Sequence, residues 1–235
     1  MLNEKFWEKY FKVYDVLNII EPYQKLMEEL ENELGLKNND IVLDVGSGTG
    51  NLMTKIKNKC KKTIGIDYSK EGQKIHRTKD RLAEIYLCDI TKKFPFSDNY
   101  FSKIVSNNTI YTLTSEQQDS VLSEIYRVLM PKGKFVISNV KKGYSPIKIY
   151  SRHILQSIKK IGFSKTIFLI LKMLIPTLKM FYYNAIIKKS GGTNHYYFLS
   201  QDEQKKLLKK SGFTKISKTK YVYADQAVMN SCYKL

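Results

Sequence analysis

Acidic residues are missing from one third of the chain. Between Ile125 and Gln201 the 235-residue sequence has no Asp or Glu, yet it holds 14 of the 40 Lys and Arg. The rest of the chain keeps 26 bases against all 22 acids, so most of the +18 formal charge sits in one block. Such a block favours something anionic, either an acidic substrate or a membrane surface. Cysteine is scarce: Cys60, Cys88 and Cys232 are too few and too scattered for a disulfide scaffold or a zinc site. They read as reduced thiols of a cytoplasmic protein, and no metal is expected. The opening residues Met1-Leu2-Asn3-Glu4-Lys5-Phe6-Trp7 contain no apolar core of a secretory signal. Nor is there an uninterrupted apolar run of about 20 residues, the length a membrane span needs. The most apolar segment, Phe163 to Ile187, is broken by Lys165, Lys172, Pro176 and Lys179.

What is present begins with Ile41-Val42-Leu43-Asp44-Val45-Gly46-Ser47-Gly48-Thr49-Gly50-Asn51-Leu52. A short apolar run ends in an acid, passes through three alternating glycines and enters a helix-like pattern at Leu52, Met53 and Ile56. Strand, glycine turn and helix start bring backbone N–H groups close to a ligand with no Cβ in the way. The spacing is G-x-G-x-G, not the G-x-G-x-x-G of dinucleotide-binding turns. Thr63 to Ser69 then reads as a second strand ending in Asp67, 21 residues beyond Gly46, where an acid holds a ribose diol.

The Asp-x-Gly-x-Gly-x-Gly pattern resembles the first motif of class I S-adenosylmethionine methyltransferases, in a type-11-like branch. Ile85 to Ile90 is similar to the third-strand motif with its acid, here Asp89. Phe101 to Asn108 resembles the fourth strand, and Tyr126 to Ile137 the helix–turn–strand that follows. The resemblance implies a bound S-adenosylmethionine with its methionine part at Gly46, Ser47, Gly48 and Gly50, its ribose at Asp67 and its adenine at Asp89. Asp44, Tyr68, Ile90 and Asn107 complete the expected cofactor wall.

Strands are expected at roughly 41–45, 63–67, 84–88, 102–106 and 134–140, with helices at 51–59, 70–80 and 115–129. This alternation predicts a parallel sheet with helices on both faces, and ligands bind outside the carboxyl ends of its strands. Ser115 and Gln118 have the spacing of a capping box. Two further strands, 213–223 and 226–234, follow a helix capped by Ser200. The expected fold is α/β: a Rossmann-like, doubly wound sheet of seven strands, mostly parallel with an antiparallel last strand. Residues 1–235 read as one domain, with cap helices over 1–38 and a basic helical lid or insert over 141–198.

The N-terminal segment is amphipathic, and Pro22 to Leu34 forms a second helix closed by Gly35. Tyr10 and Tyr14 share a face and either line the pocket or serve as packing aromatics. Aromatic faces suit a sulfonium cation, which brings in Tyr10, Tyr14 and Tyr111. His195, in the turn-rich stretch Gly191 to Phe198, reads either as a base for a hydroxyl or amine acceptor or as a hydrogen-bonded loop residue. Catalytic candidates are therefore His195, Tyr14 and Tyr111. His76 and His153 are expected to be solvated. The loop Ser106-Asn107-Asn108-Thr109-Ile110-Tyr111 lacks the Pro-Pro-aromatic signature of amino-directed DNA enzymes. The reading is methyl transfer to a small-molecule N or O acceptor, with RNA or another nucleic acid as the alternative substrate for the basic insert. The expected location is cytoplasmic, at most peripheral to a membrane.

Overall fold

A computed structural model describes residues 4–190 and 198–235. Seven strands, β1 (Ile41–Val45), β2 (Lys62–Asp67), β3 (Glu84–Leu87), β4 (Phe101–Asn107), β5 (Leu129–Val140), β6 (Lys220–Val222) and β7 (Ala227–Tyr233), form one sheet. Their order is β3-β2-β1-β4-β5-β7-β6. The first five pair in parallel, and β7 runs antiparallel to both its neighbours. The chain winds outward from β1 in one direction and from β4 in the other, so their carboxyl ends flank the switch point where such sheets bind ligands.

Successive strand residues point to opposite faces, and the core divides accordingly. Val42, Val105, Val136 and Met229 pack beneath α1 (Glu4–Tyr14), α2 (Glu21–Leu34), α6 (Pro146–Ile161) and α7 (Phe163–Ser190). Leu43, Val45, Ile104, Phe135 and Ile137 pack on the other side with α5 (Ser115–Val128) and α8 (Gln201–Lys210). Two shorter helices, α3 (Asn51–Ile56) and α4 (Lys70–Lys79), follow β1 and β2.

The expected element pattern is found, with local differences. The capping box of α5 lies one residue earlier than expected. Thr114 Oγ1 accepts from the Gln117 N–H at 3.4 Å, and Gln117 Oε1 accepts from the Thr114 N–H at 3.1 Å. Gln118 is instead buried, its amide donating to the Ile110 and Leu113 carbonyls. The turn at Pro131 to Gly133 becomes a bulge within β5, which pairs Leu129 with Phe101 and Lys134 with Lys103. The strand expected over 213–223 shrinks to Lys220–Val222, preceded by a single bridge from Thr214 to Tyr233. Lys215 there has a φ of 49°, which ends extended structure. The basic insert is a helix pair, and α7 runs through Pro176 without ending.

Both described histidines correct the expectation that they are solvated. His76 is fully buried and His153 nearly so. His153 Nδ1 accepts from the Glu21 N–H at 3.2 Å, tying α6 to the start of α2. His195 lies outside the described residues.

A buried amide network joins α8 to the sheet. Asn139 donates to Gln204 Oε1 at 2.9 Å, and Gln204 donates to Asn230 Oδ1 at 2.9 Å. Asn139 Oδ1 also accepts from the Tyr111 N–H at 3.2 Å. Gln204→Leu would strand two buried amides, at roughly 1–3 kcal/mol each. Urea unfolding should show a loss of about 2–4 kcal/mol at unchanged slope; a change below about 0.5 kcal/mol would mean that the network does not hold α8.

Candidate functional site

The glycine turn is closed onto β2 by the backbone. Gly46 and Ser47 donate to the Ile66 carbonyl at 2.9 and 3.1 Å, and Gly48 donates to Asp67 Oδ2 at 2.8 Å. Asp67 Oδ1 accepts from the Ser69 N–H at 2.8 Å. The two oxygens are thus fixed by the protein. All three turn glycines have positive φ, which side chains rarely adopt. At each of them space is also decisive. A Cβ on Gly46 would collide with the Thr109 side chain, one on Gly48 would lie 2.9 Å from the Phe11 ring, and one on Gly50 would collide with the His76 imidazole.

Lys79 braces this turn from α4. Its ammonium donates to the Thr49 carbonyl at 2.9 Å and pairs with Asp15 at 2.7 Å. Thr49 Oγ1 donates to the same Asp15 carboxylate at 2.7 Å. The helical turn Asp15–Ile19 between α1 and α2 is thereby fastened to the glycine loop.

A cavity of about 240 Å³ lies over the carboxyl ends of β1, β2 and β4. Tyr10, Tyr14, Asp44, Gly46, Ser47, Gly48, Asp67, Tyr68, Asp89, Ile90, Asn107 and Tyr111 all line it, as do further residues that the sequence reading missed. Gly50 is not at the wall; it sits behind the turn, packed on His76. Among the missed residues, Phe11 covers Gly48, and Asn108 and Thr109 extend the loop after β4. Asn107-Asn108-Thr109 was legible as one loop, but nothing local distinguished its second and third residues. Tyr23, Tyr144 and Tyr223 reach the cavity from distant parts of the chain, where no sequence signal announces them.

The wall is rich in acceptors. Asp44 is 4% exposed, and burial, with a smaller contribution from the charge of Asp67, pushes its carboxyl up to about 7. Asp67 is also raised by burial, opposed by its backbone hydrogen bonds. Asp89 lies at the exposed rim, its Oδ1 accepting from the N–H and hydroxyl of Thr91. Ser47 Oγ, Asn107 Oδ1 and Asn108 Oδ1 are buried atoms with no hydrogen-bond partner among the described residues. Orphaned polar atoms of this kind cost free energy unless something else satisfies them. A donor-rich, cationic ligand answers all of these needs.

The roof is aromatic. Tyr14 and Tyr23 approach hydroxyl to hydroxyl at 3.3 Å, and the Tyr10 and Tyr14 rings lie 5.3 Å apart. Tyr111 stacks on Phe198 at 5.0 Å. Burial holds the phenols of Tyr10, Tyr14 and Tyr223 well above their ordinary range and that of Tyr23 at about 12. These hydroxyls stay protonated at neutral pH and serve as hydrogen-bonding groups, not as bases.

The family description "Methyltransferase domain" matches residues 43–137. An uncharacterized methyltransferase of Oceanobacillus iheyensis is 32% identical over 134 residues, 57% of this chain and 56% of that protein. A ubiquinone/menaquinone biosynthesis C-methyltransferase of Paraburkholderia phymatum is 30% identical over 114 residues, 46% of each chain. The chain thus spans about half the length of these curated relatives. A geranyl diphosphate C-methyltransferase from Streptomyces coelicolor is similar in fold, with a TM-score of 0.62 at 13% identity, covering 91% of this chain and 79% of that one.

Two buried groups oppose each other as pH falls. The raised Asp44 carboxyl takes up its proton in the native state before the unfolded chain does, so acidification from about pH 7 to 4 stabilises through it. His76 is held down to about 4 by burial and by Lys79, so the unfolded chain protonates first and the same acidification destabilises. Asp44→Asn should therefore steepen the loss of stability between pH 7 and 4, and His76→Phe should flatten it, each by roughly 1–3 kcal/mol. Thermal midpoints across this range test the pair; slopes that move together, or not at all, would refute the assignment.

Proposed function

We propose that the chain, whose residues 43–137 match a methyltransferase-domain family, is a class I enzyme that uses S-adenosylmethionine to methylate a small-molecule acceptor at nitrogen or oxygen. The observation that carries the reading is the donor-hungry wall at the β1/β4 switch point, where Asp44, Asp67, Asn107 and Asn108 face one cavity beneath an aromatic roof. The residues fit the cofactor. Asp67 offers two anchored oxygens for a ribose diol, and Asp89 stands at the rim for an exocyclic amine. The buried negative charge and the tyrosine faces suit a cation. Bound there, S-adenosylmethionine would supply an activated methyl group, whose carbon would bond to the acceptor's lone pair as the C–S bonding electrons return to sulfur.

The chain's own contribution is orientation and exclusion of water. Well-placed reactants gain on the order of 7–11 kcal/mol of barrier this way. The Gly48–Asp67 and Lys79–Thr49 contacts hold the floor, and Tyr10, Tyr14 and Tyr111 close the top. An amine acceptor needs only to arrive unprotonated. A hydroxyl must lose its proton, for which Asp44, with its carboxyl near 7, is the cavity group that titrates at neutral pH. The enclosed roof supports a small acceptor over a nucleic acid.

Asp67→Ala should weaken S-adenosylmethionine binding on the order of 100-fold, since two hydrogen bonds to a charged group are lost. Ionised Asp44 favours the cation, so parental affinity should also fall below about pH 7, and Asp44→Asn should remove that dependence. Calorimetric titration reads both; equal binding by parent and Asp67→Ala would overturn the cofactor placement. Labelled-methyl transfer into fractionated cell extract reads the acceptor. Label in a small molecule after ribonuclease treatment supports the proposal, whereas label confined to RNA, or on carbon, refutes it.

A further inference from the structure

Helix α7 is built with two faces. At about 100° per residue, a seven-residue spacing returns to nearly the same side of a helix. Thr166, Met173, Met180 and Ile187 follow that spacing and are all buried, forming a seam against the rest of the fold. On the side away from the seam, Phe163, Phe168, Leu171, Ile175, Leu178 and Tyr182 are 59–71% exposed. They span an arc of about 140°. Lys165, Lys172 and Lys179 repeat every seven residues along one edge of that arc, exposed and in no ion pair among the described residues. Ile147 and Leu155 of α6 add further exposed apolar surface, and Lys159 and Lys160 further charge.

We propose that this face docks on an anionic lipid bilayer, with α7 lying in the plane of the interface. Charge selects the occupant. No acid occurs from Ile125 to Gln201, so every charged side chain that α6 and α7 bring to the apolar arc is a cation. A second copy of the chain would bring the same positive edge against it. An amphipathic helix with an apolar face and a lysine flank suits anionic headgroups above acyl chains. Within the 27 residues from Phe163 to Lys189, an 18-residue window reaches a mean hydropathy of 1.4, so by length and composition the helix could cross a membrane. The buried seam opposes crossing, because it joins α7 lengthwise to α1 and α6.

The test is sedimentation of the full chain with vesicles containing about 30 mol% phosphatidylglycerol, beside neutral phosphatidylcholine vesicles. Binding to the anionic vesicles should exceed binding to the neutral ones on the order of 100-fold and weaken with salt. Lys165→Gln/Lys172→Gln/Lys179→Gln should lose on the order of 100-fold. Leu171→Glu/Leu178→Glu should abolish binding while its thermal midpoint and far-UV spectrum match the parent's. No sedimentation of the parent, equal binding to neutral vesicles, or unchanged binding by the Glu variant would overturn the proposal. So would parental protein that resists an alkaline carbonate wash, which marks a span, or a dimer without vesicle binding that the Glu variant dissolves.

Discussion

Everything at the carboxyl end of this sheet depends on how the glycine turn is held against β2. Parallel pairing of β1 with β2 brings Val45 opposite Ile66. The next two N–H groups both find the Ile66 carbonyl, and the third finds Asp67. The turn therefore has no freedom to drift, and the Asp67 carboxylate is oriented before any ligand arrives. Such preorganisation is what a binding site must have if affinity is not to be spent on ordering the protein. The same bonds explain the glycines. A chain that folds back this tightly needs positive φ at three alternate positions, and Thr109, Phe11 and His76 occupy the space that side chains would fill.

The consequence of closing the turn is a concentration of buried charge. Asp44 and Asp67 lie beneath the aromatic roof, and burial raises both carboxyls. An isolated buried carboxylate is costly, and a cation that enters the cavity offsets that cost by its charge. The roof does not relieve the charge by itself, because the phenols of Tyr14 and Tyr23 are held neutral and pair with each other. Instability without ligand and affinity for ligand are in this respect one property.

How much of this was legible in the sequence follows from what each residue's role depends on. Asp44, the glycines and Asp67 act through local spacing, a strand followed by a turn and an acid 21 residues on, and spacing is what a sequence displays. Sheet direction was legible for the same reason, since alternating strands and helices admit few topologies. Tyr23, Tyr144 and Tyr223 reach the cavity only because α2, α6 and β7 pack as they do, and no local pattern encodes that convergence. His76 misled because its neighbours Lys74, Arg77 and Lys79 are charged. A helix in contact with a sheet still buries one face, and His76 is on it. The capping box shifted by one because Thr114-Ser115-Glu116-Gln117-Gln118 satisfies the pattern in two registers, and only burial of Gln118 decides between them.

Helix α7 connects the site to the surface. Met180 and Asn184 line the cavity, while Leu178 and Tyr182, within a turn of them, face outward. Six large apolar side chains left more than half exposed withhold on the order of 5–10 kcal/mol of burial from the folded chain. A rigid protein partner would recover that energy only after the translational and side-chain ordering costs of docking. A fluid bilayer surface imposes no shape on the arc and needs only its apolarity and its positive edge. Because wall and face belong to one helix, whatever restrains the outer face also restrains Met180 and Asn184. Occupancy of the surface and order at the cavity are therefore mechanically linked.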